Sequence, residues 1–282
     1  RRYVATRRIE KLVARGGIDA VVNELKGDSR FGRMNVDPRA LVEECQSDGL
    51  PITGTSLYEV VGRHFLGSED ARLGDKDPPT IEYLPILAAH WPQAYVVHVI
   101  RDPRDVVRSR KAVAWARGRS TFLHVFTYLT QFGMGRRYGR LFGIRYIEVR
   151  YEDVLHDASA TLQRLCTSLD LPFDREMLSF GDAAKQLVAT DELEWKRETL
   201  GPLLHNNVGR WKDTLRPWHV ALTERACREG FNVGRYETVM MGEMGWFQML
   251  GQESAVGIMH LMDWLYRSRR WWQLARAGAR FE

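Results

Sequence analysis

An α/β fold built on a parallel sheet is the class this sequence predicts, and three observations predict it. Ala94-Tyr-Val-Val-His-Val-Ile100 is short, β-branched and apolar almost throughout, the composition of a strand buried on both faces. A second strand-like run, Arg145-Tyr-Ile-Glu-Val-Arg150, follows some forty residues later. Helix-patterned segments precede and follow both runs, and that alternation is the grammar of parallel sheets.

Taken in order, the opening stretch to about Gly67 reads as helices broken at Gly16-Gly17, Gly27-Asp28 and Asp37-Pro38, with Ile9, Leu12 and Val13 at helical spacing. Asp77-Pro78-Pro79 predicts a helix start, Asp as N-cap and proline at the first helical position. Ile81, Leu84, Leu87, Ala88 and Trp91 form its apolar stripe, and Pro92 closes it. After the first strand, Asp102-Pro103-Arg104-Asp105 supplies an N-cap, a proline and an acidic third residue. That helix is expected to run to about Arg117, where Gly118 stops it. Beyond the second strand, Asp157 is expected to cap a helix to about Leu169, and Pro217 to begin another reaching about Glu229. From Thr238 the chain turns rich in Met and Trp and ends basic, so 1–237 is read as one α/β domain and 238–282 as a helical extension.

Composition narrows the class further. The 282 residues are 44% hydrophobic and 27% charged, ordinary for a globular chain and unlike a disordered or fibrous one. No apolar run reaches the roughly 18–20 residues of a membrane span. Cys45, Cys166 and Cys227 are odd in number and widely spaced, which predicts a reducing, cytoplasmic setting and no cysteine-built metal site. The eight histidines show no ligand spacing with carboxylates or cysteines, so no metal is expected. A net charge of +5, carried by 41 basic residues of which only seven are lysine, favours anionic partners and bidentate phosphate recognition. Residue 1 is Arg, and the expectation is that the natural start lies upstream.

Ligands of open parallel sheets bind beyond the carboxyl ends of the strands, which is where Arg101 falls. Arg101, Asp105 and Ser109 are four apart and share a side once the helix begins. A guanidinium, a hydroxyl and free helix amides together make a phosphate pocket. On spacing alone, a surface helix in which Arg101 pairs with Asp105 is an equal alternative.

The run VVHVIRDPRDVVRS (96–109) resembles the 3′-phosphate-binding strand and helix of sulfotransferases that use 3′-phosphoadenosine 5′-phosphosulfate (PAPS). GDKDPPTIEYLPILAAHWPQA (74–94) resembles the lysine-bearing segment of the bacterial and protein-tyrosine branches, IEVRYEDVLHDASATLQRLCTSLDLPFD (147–174) the Tyr-Glu-Asp segment, and NNVGRWKDTL (206–215) the segment that closes over the nucleotide. These stand in the family's order. The resemblance implies a three-layer αβα, P-loop NTPase-like domain that moves a sulfuryl group from PAPS to a hydroxyl or amine of a glycan, glycolipid or secondary metabolite. Adenosine 3′,5′-bisphosphate is then released, and no metal is needed.

It further implies that Arg101 and Ser109 hold the 3′-phosphate, that Tyr151 approaches the adenine, and that Lys76 neutralises charge on the departing nucleotide. At the closing segment Leu204-His205-Asn206 replaces the Arg-Lys-Gly of the cytosolic enzymes, leaving Asn207 or Arg210 as the partner. The cytosolic branch has its catalytic histidine where Pro78 stands here, so the base is expected upstream of Arg1, with Asp77 as a weak stand-in. The family's 5′-phosphosulfate loop is likewise expected upstream. Ile52-Thr-Gly-Thr-Ser56 imitates its composition but reads as a turn and helix cap.

Rival readings are a catalytically degenerate nucleotide- or partner-binding protein, a nucleotide kinase and a nucleic-acid-binding module. The kinase lacks its phosphate loop and Mg²⁺ carboxylates, and the basic residues form no single stripe for nucleic acid. The tail leaves three readings open: a helix packed on the domain or on a second subunit, a lid over the acceptor, or a helix peripheral to an anionic membrane.

Overall fold

The computed structural model describes residues 6–28, 31–32, 36–65, 72–113, 116, 118–181, 200–239 and 246–281. Two units make up the chain, residues 1–92 with 269–282, and residues 93–268.

In the first unit, α1 (Arg8–Gly27) bends where Gly16 and Gly17 leave helical geometry, Gly17 at φ 63°, a conformation that disfavours any side chain. Asp37 caps α2 (Pro38–Ser47) by accepting from the Arg39 amide at 3.0 Å. Thr53 does the same for α3 (Gly54–Phe65), its Oγ1 accepting from the Ser56 amide at 3.1 Å, so the Thr-Gly-Thr-Ser run is a helix cap. Ile9, Val22, Leu25, Leu41, Val42, Leu57 and Val60 from these helices form a buried core.

Residues Pro78–Tyr83 form a 3₁₀ turn before α4 (Leu84–His90), and the Asp77 side chain makes no capping bond there. The expected cap fails for a chemical reason. A capping carboxylate needs the amide of the second or third helical residue; Pro79 has none, and the Thr80 amide is taken by the Asp77 carbonyl at 2.9 Å.

The second unit carries the sheet. Strands β1 (Val96–Ile100) and β2 (Tyr146–Arg150) pair in parallel, Val96 opposite Tyr146 and Ile100 opposite Arg150. Helices α5 (Pro103–Ala112) and α6 (Thr121–Gly139) lie between the strands in sequence, and α7 (Tyr151–His156), α8 (Ala158–Ser168), α9 (Pro217–Ala226) and α10 (Arg228–Gly234) follow. A final helix, α11 (Trp246–Arg276), runs for 31 residues. The whole is mostly helical with a small parallel sheet, an α/β arrangement.

Three expectations change. Among the described residues the sheet has two strands, and β1 is not buried on both faces: Val97 and Val99 are 38% and 56% exposed. Helix α5 ends at Ala112 rather than near Arg117, which lies outside the described residues. The helix begun at Pro217 stops at Ala226, and Cys227 separates it from α10. Ile100, Val107, Val125, Phe132, Trp211, Leu222 and Phe231 form the core beneath the strand ends, and Val256 and Met259 of α11 join it.

Candidate functional site

Because β1 and β2 are parallel and in register, their chains leave the sheet side by side. Arg101 and Tyr151 are the first residues beyond Ile100 and Arg150. The Arg101 guanidinium lies over the Tyr151 ring, Cζ 4.3 Å from its centroid. A third element completes the group. Arg101 Nη2 donates to the Asn207 carbonyl at 2.8 Å and to its Oδ1 at 3.3 Å, and Asn207 Nδ2 donates to the Tyr151 hydroxyl at 2.9 Å. Arg210 Nη1 stands 3.5 Å from Asn207 Oδ1, at the limit of a hydrogen bond. Arg101 Nε is buried and has no acceptor.

The 205–211 segment is fastened to α5 by Asp105. This carboxylate, 1% exposed, accepts from the Gly209 amide at 2.7 Å and the Trp211 amide at 2.9 Å. Gly209 turns the chain there with φ 71°, a left-handed geometry that favours glycine. Burial pushes the Asp105 carboxyl above the ordinary carboxylate range, opposed by those two amides and by the charge of Arg101. Sequence placed Asp105 on the side of Arg101, but its role as an anchor for a segment a hundred residues away carried no local signature.

Beneath lies a buried polar frame. Arg104 is 4% exposed; it donates to Asp102 at 2.8 Å and Glu224 at 2.7 Å and lies over the rings of Trp211 and Phe231. Glu152 takes the Asp102 amide on one oxygen and the Tyr236 hydroxyl on the other. The helix start after β1 and the helix start after β2 are thus tied together, which holds Arg101 and Tyr151 in their relative places. The Tyr128 hydroxyl also donates to the Arg101 carbonyl at 3.3 Å.

Of the residues singled out from sequence, the structure groups Arg101, Tyr151, Asn207 and Arg210. Ser109 is half-buried on α5, two turns from Arg101. Lys76, exposed, and Asp77, half-buried, stand in the first unit just before the 3₁₀ turn. That unit also holds a cavity of about 610 Å³ between α1, Tyr83 and the end of α11, and none of the candidate residues lines it.

A model of the sulfotransferase family matches residues 20–175, more than half of the chain. The chain belongs to the sulfotransferase family. It is 31% identical over 183 residues to a Caenorhabditis elegans protein described as "Putative protein-tyrosine sulfotransferase". That match covers 61% of this chain and 65% of the relative, so the chain spans just under two thirds of that relative's length. Among solved structures, a sulfotransferase domain from the curacin biosynthetic pathway superposes with a TM-score of 0.52 at 16% identity. It covers 79% of this chain and 80% of its own, a likeness of fold.

At the strand ends, then, Arg101 offers a buried donor without an acceptor, Tyr151 presents an aromatic ring beside it, and Asp105 fixes the 205–211 segment against α5.

Proposed function

We propose that this chain transfers a sulfuryl group from PAPS to a hydroxyl or amine of an acceptor and releases adenosine 3′,5′-bisphosphate. One observation carries the reading: Arg101, at the end of β1, is stacked on Tyr151 and bonded to Asn207, with its buried Nε still lacking an acceptor. Arg101 and the Ser109 hydroxyl hold the 3′-phosphate, a dianion suited to a planar guanidinium donor. Tyr151 stands beside the adenine, and Asn207 with Arg210 closes that edge. The three-layer, P-loop-like architecture belongs to the same proposal, as does the division into a catalytic domain over 1–237 and an extension over 238–282.

When bound, PAPS supplies the activated sulfuryl group, and the reaction follows phosphoryl-transfer logic: in-line attack, with catalysis by positioning and positive charge. In that scheme Lys76 neutralises the oxygen that leaves with the nucleotide. A carboxylate accepts the proton of the attacking hydroxyl. Asp77, whose side chain caps no helix, is the candidate for it on this chain. Acceptors in view are glycans, glycolipids and secondary metabolites.

The test is release of adenosine 3′,5′-bisphosphate from PAPS across a panel of hydroxyl and amine acceptors. Acceptor-dependent release that Lys76→Ala lowers in kcat, with nucleotide affinity kept, supports transfer. Tight nucleotide binding with no release for any acceptor points instead to a degenerate binding protein.

A further inference from the structure

The long helix α11 shows two opposed faces. Gln252, Val256, Met259 and Asp263 are buried along one side, Val256 and Met259 in the core of the second unit. Asp263 accepts from Thr130 Oγ1 at 2.7 Å and pairs with Arg267 at 2.7 Å, and Arg267 in turn donates to the Leu129 carbonyl at 3.3 Å. That side is fully engaged by protein. On the other, Ile258, Leu261, Met262, Trp264 and Leu265 are each between 41% and 63% exposed. Their spacing of three and four residues puts them in one stripe, and Trp272, 61% exposed, continues it along the same helix. A helix of a water-soluble chain ordinarily keeps its polar residues on such a face. Here the outward face is the apolar one.

Charge on this face has a single sign. Between Ser254 and Arg276 the only acidic residue is Asp263, buried against Thr130 and Arg267. Arg269 follows Leu265 by four residues and Arg276 follows Trp272 by four, so both fall on the stripe side, and both are exposed. Leu, Ile, Met and Trp side chains flanked by arginines whose stems reach past the apolar layer are the chemistry of a helix lying in the plane of an anionic lipid surface. No helix among the described residues is long and apolar enough to cross a membrane, so the contact is one of lying on the surface.

Size argues against a second copy as the occupant. From Ile258 to Trp272 the stripe extends about 21 Å at 1.5 Å per residue. At about one side-chain width, roughly 10 Å, it offers on the order of 200 Å² per chain, against roughly 800 Å² per partner in a stable dimer. Partition onto a bilayer has no such threshold, since each inserted side chain contributes by itself.

We propose that the outward stripe of α11, Ile258, Leu261, Met262, Trp264, Leu265 and Trp272 with Arg269 and Arg276, seats this protein on anionic membrane surfaces. This rests on the helix alone and is independent of the sulfuryl-transfer reading.

The experiment is flotation of the full chain with vesicles of phosphatidylcholine alone and of phosphatidylcholine mixed with phosphatidylglycerol. The expected result is flotation with the anionic vesicles, at least tenfold weaker binding to the neutral ones, and loss of binding as salt is raised. Leu261→Ser/Leu265→Ser should cut the affinity at least tenfold with an unchanged circular dichroism spectrum. Arg269→Gln/Arg276→Gln, at exposed positions, should remove the preference for anionic lipid while leaving the residual binding. Absence of flotation, or equal binding to both vesicle types, overturns the proposal. So does a concentration-dependent dimer in sedimentation that the double-leucine variant dissociates.

Discussion

Asp105 is where the site is most open to a decisive perturbation. Its carboxylate is the fastening between α5 and the 205–211 segment, through the amides of Gly209 and Trp211. In Asp105→Ala both amides lose their acceptor. The bond from Trp211 is buried and that from Gly209 is part-buried, so the first amide gains no water while the second regains some. An orphaned buried donor costs about 1–3 kcal/mol, and a bond to a charged acceptor contributes about 1.5–3 kcal/mol. Part of this is offset, because burial of the carboxylate itself is unfavourable and raises its pKa. The net loss is expected at about 3 kcal/mol. Asp105→Asn keeps one acceptor oxygen but turns an NH₂ group towards the other amide, and should cost about half as much. Urea unfolding gives the stability, and hydrogen exchange at Gly209 and Trp211 shows whether the loss is local. Exchange at both amides should accelerate well beyond that of α6, and affinity for adenosine 3′,5′-bisphosphate should fall about tenfold because Asn207 rides on the loosened segment. A stability change below about 0.5 kcal/mol with unaltered exchange at Trp211 would refute the anchoring role.

Arg104→Met keeps much of the packing on Trp211 and Phe231 but leaves Asp102 and Glu224 buried without their counter-charge, and urea unfolding should show a loss of about 3–5 kcal/mol. Gly209→Ala meets only the Lys212 side chain, at an ordinary contact distance of 4.0 Å, but sits at a φ of 71°, so a cost of about 1 kcal/mol is expected, read as a lower melting temperature. Burial, aided by Arg136, lowers the His98 imidazole to about 4 from 6.5. Between those values the unfolded chain binds a proton that the folded one does not. His98 therefore takes nothing from stability above pH 6.5, and its penalty grows as pH falls towards 4, reaching on the order of 3 kcal/mol. His98→Asn should flatten this slope in melting experiments between pH 4 and 7.

Much of this was legible where the signal is local. Asp102 and Asp157 accept from amides two or three residues on, as their positions before Pro103 and Ala158 implied. Both strands lie within a residue or two of their expected bounds, because a short β-branched run between helix signals has few alternatives. Asp77 misled because the prolines that advertise a helix start also removed the amide its side chain would have capped. Val97 and Val99 read as core from composition, yet a face is buried only when something covers it, and composition does not say what.

At the site, Arg101 and Tyr151 were legible as strand-end residues, and register made them neighbours. Asn207 was reached through a family likeness rather than its own chemistry. Asp105, Arg104 and Glu152 hold the arrangement through partners fifty to a hundred and twenty residues away, and no spacing rule reaches that far. The outward face of α11 was visible as a mixture of Met, Leu, Trp and Arg. Which side it turned to protein waited on Asp263 and Arg267, whose bonds to Thr130 and the Leu129 carbonyl of α6 fix the rotation of the helix.

The central claim is that Arg101 holds a 3′-phosphate at the ends of β1 and β2, and calorimetric titration tests it most directly. Adenosine 3′,5′-bisphosphate should bind the full chain at micromolar concentration, ADP at least tenfold more weakly, and Arg101→Ala should abolish the difference. Equal affinity for the two nucleotides, or an Arg101→Ala variant that keeps its affinity within a few-fold, would contradict the claim and move the phosphate site elsewhere.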